Sequence, residues 1–244
     1  MSGGVGPTGG DIILPKEEEI EMKSSNSMNP NSKSTPTKKG NHFSLRQLNS
    51  LAVIVVLSAS GMVSITDFSF VVFSFIYIFF LSKIAFPSLP TSIATPIFGE
   101  KNRMLGIYVM VAALIGLFLP IMYIFHGIIE GDKHGIKAAS PHVFLLASQV
   151  FMEGLAFSGE FSIPIRVFVP VFYNTKRVFS IVDWLRAEIE KKDVEDSGDE
   201  IRLYVGRALA VANMAFWCFN LFGFLLPVYL PRAFKNYYGY KPKA

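Results

Sequence analysis

Apolar and polar positions along this 244-residue chain fall into long blocks rather than into short alternating runs. Leu48–Ile65 is apolar apart from small residues such as Ser58, Ser60, Gly61 and Ser64, and Thr66-Asp67 interrupts it. Phe68–Ile84 follows, dense in Phe, Val and Ile. About 20 helical residues span the hydrocarbon of a bilayer. The stretch from Leu48 to Phe86 is therefore too long for one crossing and predicts a tight helical hairpin, with Asp67 at the turn and the water surface. Pro87, Pro90 and Pro96 then break any helix and predict a loop. Met104–Phe125 is a run without charge, and Ala112 and Gly116, four apart, offer a close-packing face. Residues 126–141 read as a polar loop, His142–Gly159 as a fourth apolar block, and Ala208–Leu230 as the last.

Between the last two blocks the pattern changes. Residues 161–173 are apolar but cut by Pro164, Arg166 and Pro170, which predicts a re-entrant or interfacial piece. Residues 176–192 carry Val178, Ile181, Val182, Leu185 and Ile189 at helical spacing, with Trp184 beside the stripe. Lys176, Arg177, Arg186, Lys191 and Lys192 line the other face and the ends. This is the pattern of an amphipathic helix lying on a membrane, or of one packed on its own protein. The prediction is an all-α, multi-pass transmembrane helical bundle of about five spans (48–65, 68–84, 104–125, 142–159, 208–230). Four result if the fourth block fails to insert, and six if 161–173 crosses. Residues 1–47 form a Gly-, Ser-, Asn- and Pro-rich tail that buries too little apolar surface to order. Residues 233–244 form a basic, aromatic C-terminal tail.

Composition sharpens this picture. Hydrophobic residues make up 51% of the chain and charged ones only 17%, with 23 Phe. A water-soluble domain has about 25% charged residues. The bilayer is thus the expected solvent and first partner. The net charge of +4 is dispersed among acidic residues and gives no stripe for nucleic acid. Protein partners are expected through the N-terminal tail or the 176–192 helix. Lys38, Lys39 and Arg46, then Lys83, Lys101 and Arg103, then the positives of 166–207, place the N-terminus in the cytoplasm; the basic C-tail argues against an odd number of spans.

One position in the fourth block invites a chemical reading. Glu153 sits amid nine strongly apolar residues. Each of those favours insertion by roughly 0.3–0.6 kcal/mol, whereas one central charge opposes it by about 2.5–3.5 kcal/mol. The block inserts only with help from its neighbours. Gln149 lies one turn before Glu153, and Asn213 and Asn220 share a face of the last block. A polar seam of Gln149, Glu153, Asn213 and Asn220 is expected, either as hydrogen-bond glue between helices or as an ion or proton relay.

No catalytic, cofactor or metal site is predicted. His126, Glu130, Asp132 and His134 cluster in sequence, but Gly127, Gly131 and Gly135 among them suggest a flexible, solvated loop. Ala156-Phe157-Ser158-Gly159 faintly resembles the nucleophile motif of rhomboid proteases, with Ala where that family has Gly and no mid-span His to act as base. Cys218 is the single cysteine and forms no internal disulfide.

The start MSGGVGPT, the aromatic spans, SIPIRVFVPVFYNTKR and the YYGY near the end together resemble a plant family of multi-pass membrane proteins of unknown function. That resemblance implies a plant origin and no assigned activity. The expected role is non-enzymatic: scaffolding, trafficking or assembly of a membrane complex, with a small transporter or channel subunit using Glu153 as the alternative.

Overall fold

The structure is a computed structural model that describes residues 44–88, 103–158, 161–191 and 197–239. The expectations for the tail up to residue 43, for most of the proline-rich loop, for the acidic 193–196 stretch and for the last five residues lie outside the described residues. What is described is helical, without a strand among the described residues.

Helix α1 (Leu45–Ala59) starts where Ser44 and Gln47 form a reciprocal capping box, each side chain accepting from the other's backbone N–H. It ends at Gly61, whose φ of 69° is one that residues with a Cβ rarely adopt. Helix α2 (Ile65–Ile84) is capped by Ser64. The two do not make the expected hairpin. α1 packs along α5 (Lys133–Ser158), whereas α2 lies mainly on α6 (Ile163–Glu190). Asp67, expected at the water surface, is buried and ion-paired at 2.8 Å with Lys176 of α6.

Helix α3 (Arg103–Ala113) continues through a π segment (Leu114–Phe118) into α4 (Leu119–Glu130), making one rod. Pro120 has no N–H to donate to the Gly116 carbonyl four residues earlier. His142 Nε2 of α5 donates to that carbonyl instead, at 2.8 Å. The predicted loop 126–141 is only a two-residue turn, Gly131-Asp132, between α4 and α5. Gly131 alone carries the turn, at φ 75°. Gly127 and Gly135 are buried helical positions rather than signs of flexibility.

The expected break at residues 164–170 and the separate 176–192 helix are both replaced by the continuous α6. Pro164 sits in the first turn, where its missing N–H costs nothing. Pro170 is fully inside the packed bundle, whose neighbours hold the helix together across it. Helix α7 (Ser197–Cys218) likewise runs through a second π segment (Phe219–Tyr229, containing Pro227) into α8 (Leu230–Gly239).

Among the described residues, three helices are long and apolar enough to cross a membrane: Ile65–Ile84, Arg103–Glu130 and Glu200–Gly239. The expected count of five is not supported. α1, at 15 residues, is only about 22 Å long, and the fourth block up to Ser158 lies within α5, where residues 142–149 are buried on every side. The chain runs up and down. Gln47 lies against Gly154, Ser162 Oγ donates to the Phe86 carbonyl, and Tyr237 Oη donates to the Pro87 carbonyl. These contacts bring the start of α1 and the end of α8 to the same end of the bundle. Large apolar side chains such as Phe73, Phe75, Ile76, Phe79 and Phe80 point outward. Gln149, Arg177, Glu188, Arg202 and Asn213 point inward.

Candidate functional site

Two polar clusters occupy the interior, and α6 supplies the centre of both. Its buried side chains after residue 176 are Arg177, Ser180, Ile181, Trp184 and Glu188. The stripe read from sequence was Val178, Ile181, Val182, Leu185 and Ile189. The observed one is shifted back by one residue, a rotation of about 100°. Trp184 and Ile181, expected in the headgroup region, are completely covered by protein; Val178 and Leu185 are half-buried, and Ile189 is exposed. The interfacial reading is therefore corrected for the middle of that helix. Selecting the most apolar stripe put Arg177 and Glu188 outside, whereas the fold brings them in.

The first cluster contains the predicted seam in altered form. Gln149 Nε2 donates to Glu153 Oε1 at 2.7 Å. On its other side, the Gln149 carbonyl accepts from Arg177 Nη2. A single amide thus links a guanidinium to a half-buried carboxylate. The Arg177 guanidinium lies over the Trp217 ring, 4.1 Å from its centre. When desolvated, such a cation–π contact contributes ~2 kcal/mol. Asn213 and Asn220 do not join Glu153. Asn213 donates to the Leu209 carbonyl and accepts from Trp217 Nε1 at 3.2 Å, and Asn220 accepts from Tyr108 Oη of α3. Asn213 still belongs to the cluster, one ring away, because Trp217 stands between it and Arg177. Asn174 holds the other side of that tryptophan, donating to its carbonyl at 3.2 Å.

The second cluster lies where α4, α5, α6 and α7 meet. Asp132 accepts from the Gly135 N–H at 2.8 Å, as a helix-capping carboxylate does. It also receives Arg202 at 2.8 Å and Lys191 at 3.1 Å. Lys191 reaches Glu188 at 3.0 Å. Glu188 in turn accepts from Tyr123 Oη at 2.6 Å and Trp184 Nε1 at 3.2 Å. Arg202 extends to Glu130 and to His126 Nδ1. Burial alone would raise the Asp132 pKa, but the Gly135 N–H, Arg202 and Lys191 outweigh it and hold the group down at about 2. The close approach depends on glycines. A Cβ at Gly206 would stand 2.6 Å from Glu188 Oε2 and 2.8 Å from Tyr123 Oη. Sequence reasoning noticed His126, Glu130 and Asp132 but found no partners for them, because Arg202 and Lys191 come from some 60–70 residues away.

The chemistry these clusters offer is cohesion and charge placement. Among the described residues no group of three His, Cys, Asp or Glu side chains converges as a metal site. Ser158 and His142 lie on the same helix, 16 residues and about 24 Å apart, so His142 cannot serve Ser158 as a base.

The model of a domain of unknown function, DUF7733, matches residues 43–238. The chain belongs to the DUF7733 family. Its match begins just before the α1 cap and ends within α8, so the family unit is the whole helical bundle, both polar clusters included. Comparison with curated proteins and with solved structures gives no match.

Proposed function

We propose that this DUF7733 protein is an integral membrane protein without catalytic activity that holds or assembles other membrane components. The observation that carries this reading is the outer surface of the bundle: phenylalanines, isoleucines and valines of α2, α3–α4 and α7–α8 point outward, while charged and amide side chains such as Arg177, Glu188, Arg202 and Asn213 are buried among the apolar core clusters. In water that arrangement exposes apolar surface without return, whereas in hydrocarbon it is the favoured one. In this reading α2, α3–α4 and α7–α8 face lipid, while α5 and α6, shielded by them, keep the polar residues that lipid would reject. The up-and-down path leaves both ends of the helical region on one side. A multi-pass protein of plant origin, as the family resemblance implies, fits this account.

The paired interior favours a scaffold, since its ion pairs and hydrogen bonds join helices to one another. Purified protein in sealed liposomes is expected to show neither ion nor proton flux, while cross-linking in native membranes yields a defined complex with another membrane protein. Proton flux in liposomes that disappears in Glu153→Gln would overturn the scaffold in favour of a transporter. The half-buried Glu153, one amide from Arg177, is the observation that gives this second reading its place. Sidedness is checked in a Cys218→Ser background with single cysteines at Ser44 and Gly239: both label from the same side of the membrane, and labelling from opposite sides refutes the topology.

A further inference from the structure

The first cluster contains more hydrogen-bonding capacity than the protein itself uses. Arg177 is completely buried, yet its Nε and Nη1 have no hydrogen-bond partner among the described residues. The same holds for three other buried atoms: His142 Nδ1, Asn174 Oδ1 and Ser148 Oγ. Three of these residues, Arg177, His142 and Asn174, lie about Trp217. Arg177 covers its ring, the His142 ring centre is 6.3 Å from it, and Asn174 donates to its carbonyl. Ser148 adjoins Gln149, the acceptor of Arg177.

The donor and acceptor roles of these atoms are fixed. His142 Nε2 faces the Gly116 carbonyl, which only accepts, so Nε2 carries the proton and Nδ1 is a bare acceptor. Asn174 uses its Nδ2 on the Trp217 carbonyl, so Oδ1 is the atom left over. The unused set about Trp217 is therefore two acceptors, His142 Nδ1 and Asn174 Oδ1, with the donor N–H groups of Arg177. An anion accepts only, and would leave both acceptors unmatched. A metal cation would face a guanidinium. Water donates two hydrogen bonds and accepts two, which meets both halves of the set.

We propose that Arg177, His142 and Asn174 form an internal water-binding site against Trp217. Bound water lets the guanidinium stay charged without a carboxylate in contact, and it makes this part of the bundle wet although Trp217 is 4% exposed.

Radiolytic hydroxyl-radical footprinting of the full chain in detergent, carried out in ¹⁸O water, tests this. Radicals form at trapped water, so the Trp217 side chain is expected to be oxidised several-fold faster than Tyr173. Tyr173 is equally buried but has its hydroxyl paired with Ser74 at 2.7 Å. Asn174→Leu and His142→Phe, each checked for native near-ultraviolet circular dichroism, are expected to slow Trp217 labelling several-fold. Trp217 labelling no faster than that of Tyr173 overturns the proposal. So does labelling that neither well-folded variant changes. Quenching of tryptophan fluorescence by bromide that is lost in Arg177→Met would assign the site to an anion and overturn it too. If one variant fails to fold, the wild-type comparison and the other variant still decide.

Discussion

A glycine facing a carboxylate and a glycine facing an indole set how closely this bundle closes. At Gly206 the added methyl of alanine meets Glu188 and Tyr123, and at Gly116 it meets the Trp217 ring. Neither neighbour is the free end of a flexible chain: Glu188 is pinned by Lys191, and Trp217 lies between Arg177 and Asn213. Gly206→Ala and Gly116→Ala are therefore each expected to destabilise the fold by about 1–3 kcal/mol, read as a lower thermal midpoint in detergent. An unchanged midpoint for both would show that the helices separate more easily than their contacts suggest. Asp132 makes a separate prediction. Its pKa is held at about 2 against an ordinary 3.8, so the folded state favours the charged form. That contribution, about 2 kcal/mol, is present above pH 3.8 and is lost as pH falls from there toward 2. Asp132→Asn is expected to lower stability at pH 7 and to flatten the acid limb of the stability profile; an acid limb identical to wild type would remove Asp132 from the network's account.

At the scale of the helix, α2 and the rod around Met104–Phe125 were legible because their residues are apolar all round, and length then suffices. α6 was not. Its prolines suggested breaks, but one stands in the first turn and the other is surrounded by helices that compensate for its lost hydrogen bond. Its face was misassigned by one residue because the stripe was chosen for apolarity, while the buried stripe includes Arg177 and Glu188. That choice fails wherever the interior is more polar than the exterior. The Gln149–Glu153 pair was legible, since i and i+4 share a helix face in any context. Its continuation to Arg177 was not, because only tertiary contact shows which cation turns inward. Gly127 and Gly135 misled for a related reason: a glycine before a turn and a glycine under a neighbouring helix look alike in one dimension. The ion network joins four elements through Asp132. Removing Arg202, by Arg202→Met, is therefore expected to loosen α4 and α7 together, seen as faster amide exchange in both around residues 123–130 and 200–207. Exchange that rises in α7 alone would mean that Arg202 does not tie the two.

For the whole molecule, the apolar outer surface makes a prediction independent of any assigned role. Membranes containing the protein, washed in alkaline carbonate, are expected to retain it in the pellet and to release it only with detergent; full release into carbonate would mean that the outward phenylalanines are covered by something other than lipid. The helix from Glu200 to Gly239 has 40 residues and is close to 60 Å long at about 1.5 Å per residue, roughly twice the thickness of the hydrocarbon. A rod of that length is longer than a hydrocarbon layer is thick. Its two ends are fastened to different things: Arg202 to the charged knot at one end of the bundle, and Tyr237 to the chain leaving α2 at the other. One continuous run of helix therefore ties the charged knot to the chain that leaves α2.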